Sequence, residues 1–332
     1  MQDAAPPNPM YILTLREFQN LKKKVSMHKS KCPVCGSSHT VRNGKRKGIQ
    51  TYKCADCGYQ FRNSGMPYDH QLWKLYQENK QTFKELSELL GVSESTVKRR
   101  VRNVSIEWEQ PPLSGGGFVH LDATYWGHNW GIMLALDDAT GKVLYLEFIG
   151  SETNADYEAA VSSIEERGYA IKGLIVDGKQ GLFGLFSGYR IQMCQFHMKQ
   201  ITRRYLTQNP RLKAARALKG LMDTLAGASQ NAFERDYQAW KGEWHDTLFR
   251  RTHLKSGKTR YTHKRLRSAM HSIDFYLPYL FTYQTDGCQG MPNTNNKIEG
   301  VFTDLKNNLN THRGMSEENR KRFISGFFLA SE

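Results

Sequence analysis

Apolar residues recur along this chain in two rhythms, and the change from one to the other divides it. Between residues 68 and 106 the spacing is helical: Leu72, Leu75 and Tyr76 share one face, and Phe83, Leu86, Leu89 and Leu90 share the next. Gly91 breaks the second helix, and Ser93 can cap a third that carries Lys98, Arg99, Arg100 and Arg102. Helices joined by so short a turn, the last one basic, predict an all-α helix-turn-helix suited to a major groove. Its DNA-facing side would hold Ser95 and Thr96 beside those four cations. Residues 107–117, EWEQPPLSGGG, are rich in Pro and Gly and read as a linker.

From residue 118 the rhythm becomes that of strands. GFVHLDATYWG, NWGIMLALDDATG and KVLYLEFIG are short apolar runs separated by turn residues, which predicts a three-stranded meander. NADYEAAVSSIEERGY then reads as a helix, IKGLIVDG as a buried strand ending at Asp177, and YRIQMCQF as a strand entering a helix at His197. That order fits a mixed α/β sheet flanked by helices over residues 118–198.

Helical spacing returns over residues 199–292, in LKAARALKGLMDTL, NAFERDYQAWKGEWHDTLF and KRLRSAMHSIDFYLPYLFTY. An inserted all-α lobe is expected, with RRTHLKSGKTRYTHKRLR as a basic loop and Trp240 and Trp244 as core. NNKIEGVFTDLKNNLNTHRG predicts one more helix, with Ile298, Val301, Phe302 and Leu305 on one face, Glu299 beside them and Lys306 two turns on. Residues 293–332 would thus rejoin the α/β domain. At the end, Phe323, Ile324, Phe327, Phe328 and Leu329 form an apolar face that needs cover from its own domain or from a second subunit.

Two carboxylates interrupt the apolar strands. An unpaired carboxylate among apolar residues is costly, so Asp122 and Asp177 call for a partner such as a metal ion. Asp137 and Asp138 fall in a hairpin loop, and with Glu147, Asp286 and Asp304 they are not expected at that site.

Four of the six cysteines form two knuckles, Cys32-Pro-Val-Cys35 and Cys54-Ala-Asp-Cys57, separated by residues 36–53. This spacing predicts a zinc ribbon over residues 31–64, following an N-terminal arm of residues 1–30. Arg42, Lys45, Arg46 and Lys47 lie between the knuckles and suit phosphate. Cys194 and His197 offer two further ligands, too few to close a tetrahedron, so structural zinc is not expected there.

Composition narrows the setting. The 332 residues, 39% hydrophobic and 24% charged, can bury a large core in more than one domain. There is no apolar run long enough for a membrane span, and the start MQDAAPPNPM lacks a secretory pattern, so a reducing, intracellular setting without a membrane is expected. The formal net charge of +15 is unevenly spread. Residues 1–110 carry 19 Lys and Arg against 10 Asp and Glu, residues 111–198 carry 5 against 10, and residues 199–332 carry 23 against 12. Basic flanks around an acidic centre suit a protein that grips nucleic-acid phosphates and brings cations to them.

Taken together, the ribbon, the helix-turn-helix, Asp122, VDG at Asp177, CQFHM, the long insertion and NNKIEGVFTDLK resemble a bacterial insertion-sequence transposase of the Asp-Asp-Glu type, close to the Mutator-like group. The resemblance implies a multidomain chain: zinc ribbon and helix-turn-helix, then a ribonuclease-H-like mixed sheet interrupted by the insertion. It implies that Asp122, Asp177 and Glu299 are catalytic and bind Mg²⁺ or Mn²⁺, and that Cys194 and His197 match a Cys-x-x-His motif. His197, Lys306 and Arg313 would then join the DNA contacts. The activity implied is metal-dependent cleavage and strand transfer on double-stranded DNA, by a homodimer or larger assembly, in the cytoplasm at the nucleoid. A non-catalytic DNA-binding regulator derived from a transposase, or a nuclease without strand transfer, would share these features.

Overall fold

The computed structural model describes residues 31–32, 34–46, 49–62, 69–106, 110–127 and 129–329. The N-terminal arm, Lys47 and the first three residues of the linker, 107–109, lie outside the described residues. Two compact units form, one from residues up to 107 with 306–330, the other from 108–305 with the last two residues. No helix of the described residues is long and apolar enough to cross a membrane.

In the first unit, β1 (Thr40–Arg46), β2 (Ile49–Cys54) and β3 (Gln60–Arg62) make an antiparallel sheet. Two matched turns enter it. Gly36 N–H donates to Cys32 O at 2.9 Å, and Gly58 N–H to Cys54 O at 3.1 Å. Both glycines are left-handed, with φ of 71° and 74°, a conformation that glycine adopts without a Cβ penalty. Cys32, Cys54 and Phe61 are buried here with Tyr52 packed beside them, a core too small to hold a fold alone.

Three helices follow: α1 (Asp69–Gln77), α2 (Phe83–Leu90) and α3 (Glu94–Arg102). Thr82 and Glu85 form a capping box at α2, Glu85 N–H donating to Thr82 Oγ1 at 3.2 Å and Thr82 N–H to Glu85 Oε2 at 2.7 Å. Gly91 ends α2 at φ 64°, and Ser93 Oγ accepts the Thr96 N–H at 3.3 Å to start α3. Leu72, Trp73, Tyr76, Leu86, Val97 and Val101 are buried.

The second unit is built on β4 (Gly116–Trp126), β5 (Trp130–Asp137), β6 (Val143–Ile149), β7 (Ala170–Val176) and β8 (Ile191–Met193), in the order β6-β5-β4-β7-β8. The β6-β5-β4 meander is antiparallel, while β4–β7 and β7–β8 are parallel, giving the mixed sheet that the strand order predicts. Between β6 and β7 runs α4 (Asn154–Glu166), which buries Tyr157, Ala160, Val161 and Ile164. A single turn, α5 (Leu182–Leu185), precedes β8, and α6 (Gln195–Leu206) follows it.

The lobe continues through α7 (Lys213–Thr224), α8 (Gln230–Glu243), α9 (His245–Phe249) and α10 (Lys264–Tyr276). Its buried residues, among them Leu218, Phe233, Tyr237 and Ile273, belong to the same cluster as Val119, Leu121 and Val176 of the sheet. Trp240 is buried, its Nε1 donating to Ala214 O at 3.0 Å, which makes it core. The lobe is not all helical. β9 (Arg251–His253) and β10 (Thr259–Tyr261) pair antiparallel, where an irregular basic loop is expected. Turn chemistry and cross-strand contacts close this hairpin rather than apolar alternation: Gly257 has φ 76°, Thr252 and Thr262 hydroxyls meet at 2.8 Å, and Arg251 lies over the Tyr261 ring.

The boundary between the units falls inside α11 (Asn296–Thr311), before Lys306. Residues 306–330 therefore group with α1, α2 and α3, although the sequence places 293–332 with the α/β domain. The last helix, α12 (Glu317–Leu329), buries Phe323, Ile324 and Phe328. Phe323 meets Trp73 and, edge-on, Tyr76, and Arg322 donates to Val101 O at 2.8 Å. Gly326 permits this, since a Cβ there would lie 2.7 Å from Trp73 Cζ2. The buried part of the apolar C-terminal face is thus covered by its own chain.

Two outcomes follow from this packing. Phe323→Ala removes a buried ring contact and should cost about 3–5 kcal/mol of the first unit's stability in denaturant titration. The His312 ring lies tilted against Tyr76, with ring centroids at 4.2 Å, and burial pushes its imidazole down to about 4 against smaller opposing contributions from the Tyr76 backbone and Glu85. The unfolded chain takes up this proton first, so stability should fall as pH drops from about 6.5 towards about 4. His312→Phe should flatten that part of the melting-temperature profile.

Candidate active site

β4 and β7 run side by side and parallel, with His120 opposite Ile175. Continued for two residues, that register sets Asp122 level with Asp177, the first residue after β7. Asp122 keeps some contact with solvent, yet protein crowds its carboxyl. Burial first, and then the charge of Asp177, hold it well above the usual carboxylate range. Glu152 and Glu299 push the same way, while the Ala123 N–H, donating at 2.8 Å, opposes them. Four acidic side chains therefore converge. Asp177 Oδ1 accepts the Lys179 N–H at 3.0 Å.

Glu299 reaches this place because the start of α11 is pinned to the sheet. Buried Asn295 bonds to β4 and to the start of α6: its Oδ1 lies 2.6 Å from His120 Nδ1, its Nδ2 donates to Leu121 O at 3.2 Å, and its backbone N–H donates to Cys194 Sγ at 3.2 Å. Glu299 N–H then donates to Asn295 O at 3.2 Å. His120 Nε2 in turn lies 2.9 Å from Asp138 Oδ1, and Lys297 Nζ is 3.5 Å from the same oxygen. Asp138 thus supports the helix start. Asp137 is buried and holds the Tyr169 hydroxyl, and Glu147, Asp286 and Asp304 are exposed.

Glu152 and Lys179 carry no motif that sequence reading could use. Glu152 Oε1 accepts the Tyr157 hydroxyl at 2.9 Å, and Lys179 Nζ lies 3.6 Å from Oε1 and donates to the Glu152 carbonyl at 2.9 Å. Tyr157 is held above its ordinary range by burial and then by Asp177, Glu152 and Asp122, which places all three acids around one ring.

In the ribbon the four cysteine sulfurs lie within 4.8 Å of one another, with Cys32–Cys57 and Cys35–Cys54 each at 3.5 Å. These separations exceed a disulfide bond of about 2.05 Å. They approach the edge of roughly 3.8 Å expected for a tetrahedron of thiolates around zinc. Among the described residues the other group this tight is Cys194, His197 and Glu299.

The expected DNA contacts are less uniform. Arg42, Lys45 and Arg46 are exposed on β1, and Ser95, Arg99 and Arg102 are exposed on α3. Lys98 pairs with Glu94 at 3.2 Å, and Arg100 with Asp69 at 2.6 Å, tying α3 to α1. The Thr96 N–H donates to the Ser93 cap of α3, Lys306 and Arg313 are exposed, and His197 faces Glu299.

Fold and site define a chain with a mixed five-stranded α/β domain carrying a carboxylate centre and with a four-cysteine group near its N-terminus. No protein-family model matches the chain, and no curated protein matches it. Among solved structures it is similar to a chain of the Drosophila P element transposase strand transfer complex, at 10% identity over 77% of this chain and 83% of that one, with a TM-score of 0.32. It is also similar to a chain of the simian T-cell lymphotropic virus intasome in complex with PP2A regulatory subunit B56 gamma, at 14% identity over 48% and 69%, with a TM-score of 0.20. Superpositions this weak transfer no residue roles.

Proposed function

We propose that the chain is a DNA transposase of the bacterial insertion-sequence, Asp-Asp-Glu type, close to the Mutator-like group, with a ribonuclease-H-like catalytic domain. The observation that carries this reading is the convergence of Asp122, Asp177, Glu299 and Glu152 where β4 and β7 run side by side and Asn295 ties the start of α11 to β4. So much converging negative charge beside Glu299 Oε1, a buried oxygen with no hydrogen-bond partner, fits a centre completed by cations. Asp122, Asp177 and Glu299 would hold Mg²⁺ or Mn²⁺, hard ions that prefer such oxygens. Two such ions, when bound, activate the attacking oxygen and stabilise the leaving one in phosphodiester cleavage and strand transfer. The Asn295 anchor keeps Glu299 at the sheet, and Lys179 holds Glu152 in place. Cys32, Cys35, Cys54 and Cys57 would hold zinc, leaving Arg42, Lys45, Arg46, Arg99 and Arg102 for phosphate.

The test is incubation of the full chain with Mg²⁺ and DNA carrying the ends that flank its gene. Cleavage at the ends, followed by joining to a second duplex, is expected. Cutting without joining would reduce the protein to a nuclease, and binding without either would make it a regulator. Because the grip is on phosphates, contacts by those five cations should cost roughly 500-fold in affinity between 50 and 200 mM salt, at a slope of about −0.9 per contact. Two ends joined in one event need two carboxylate centres, so light scattering should show a dimer or larger on paired ends. Cleavage of both ends by a strict monomer would exclude it.

A further inference from the structure

We propose that Cys194, His197 and Glu299 form a zinc site separate from the ribbon, competing with the hard cations of the carboxylate centre for Glu299. Two of the donors stand three positions apart in the chain, and the third comes from a distant helix. Cys194 is the residue that starts α6, His197 lies in its first turn, and Glu299 lies in the first turn of α11. Their donor atoms all lie within 4.8 Å of one another.

The unusual feature is a gap. His197 Nδ1 stands 3.6 Å from Glu299 Oε1, too far for a hydrogen bond, and both atoms are buried without a hydrogen-bond partner. Buried polar atoms are seldom left so. Two of them facing each other beside a buried sulfur leave room for a small cation to satisfy all three. In a tetrahedral zinc shell the nitrogen–oxygen edge is roughly 3.3 Å, close to the separation seen. A sulfur, nitrogen and oxygen set selects a borderline ion such as Zn²⁺, since Mg²⁺ avoids sulfur.

Spacing along the chain shows only two of these ligands, which cannot close a site. Folding supplies the third, and water can complete the shell. The Asn295 N–H already donates to Cys194 Sγ, an arrangement that also suits a thiolate. The competition rests on the role proposed for Glu299, but zinc binding itself does not. Zinc held through Glu299 Oε1 would withdraw that oxygen from the centre and inhibit Mg²⁺-dependent cleavage.

Zinc bound per full-length chain, measured by equilibrium dialysis at micromolar free Zn²⁺ without DNA or Mg²⁺, tests the site independently of any cleavage. Two zincs per chain are expected, falling to one in Cys194→Ser and in Glu299→Gln, each checked for folding by circular dichroism. Glu299 is partly exposed, so that variant serves if Cys194→Ser fails to fold. One zinc in the unsubstituted protein, or two retained in the folded variants, would overturn the proposal.

Discussion

Asp122→Asn, Asp177→Asn and Glu299→Gln should each lower DNA cleavage by about a thousandfold or more, the upper end of what one removed electrostatic contact costs. End binding should stay within a few-fold, because the basic surfaces proposed for it lie on β1 and α3. Asp122→Asn should carry a second signature. Without bound cation its carboxyl is destabilised in the fold by burial and by Asp177, so removing the charge should raise the melting temperature of the metal-free protein while abolishing activity in Mg²⁺. The sign follows from linkage: a carboxyl raised above its unfolded value loses stability as pH climbs from about 4 through the folded value, and the amide has no such loss. Cleavage, gel shift and thermal melts on the same preparations decide it. Substantial cleavage by one variant would remove that residue from the site, and an unchanged melt would remove the charge argument.

Cys35→Ser or Cys57→Ser should unfold the ribbon and lower the zinc content by one per chain, with specific end binding lost. Cys32, Cys54 and Phe61 are the buried residues of this segment's core, and burying side chains of that size contributes only about 1.5–3 kcal/mol each. Structural zinc contributes about 10–16 kcal/mol in comparable small segments. Metal analysis with amide exchange of residues 31–62 measures the loss. Unchanged zinc would show that these cysteines are not the ligands. Deletion of residues 1–110 should also abolish binding, but it strips Trp73 and Tyr76 from Phe323 and so exposes the apolar face of α12.

Features written in a few adjacent residues were legible beforehand. Gly91 and Ser93 mark the turn because cap and break are local chemistry. Asp122 stands out because it interrupts an apolar strand and Asp177 because it ends one, and the parallel register, continued for two residues, sets them level. What escaped depends on distant neighbours. Glu152 precedes a helix cap like many surface acids, and only the fold turns it towards Asp122. His120 and Asn295 are 175 residues apart and carry no shared spacing. The β9–β10 hairpin lacks apolar alternation, so its cross-strand Thr and Arg–Tyr contacts gave no strand signal. The C-terminal apolar face was visible, but not that Trp73 and Tyr76 cover it.

The Asn295 anchor also sets a timetable for the newborn polypeptide. Both aspartates leave the ribosome long before the residue that completes their centre, since Glu299 follows Asp177 by 122 positions. At about 5–20 residues per second, that interval is roughly 6–24 seconds. Throughout it β4 and β7 can pair, but His120, Leu121 and Cys194 still lack the asparagine that ties them to α11. A chain truncated before residue 295 would therefore keep the basic surfaces of β1 and α3 but lack the centre proposed for cleavage, so it should bind DNA without cutting it.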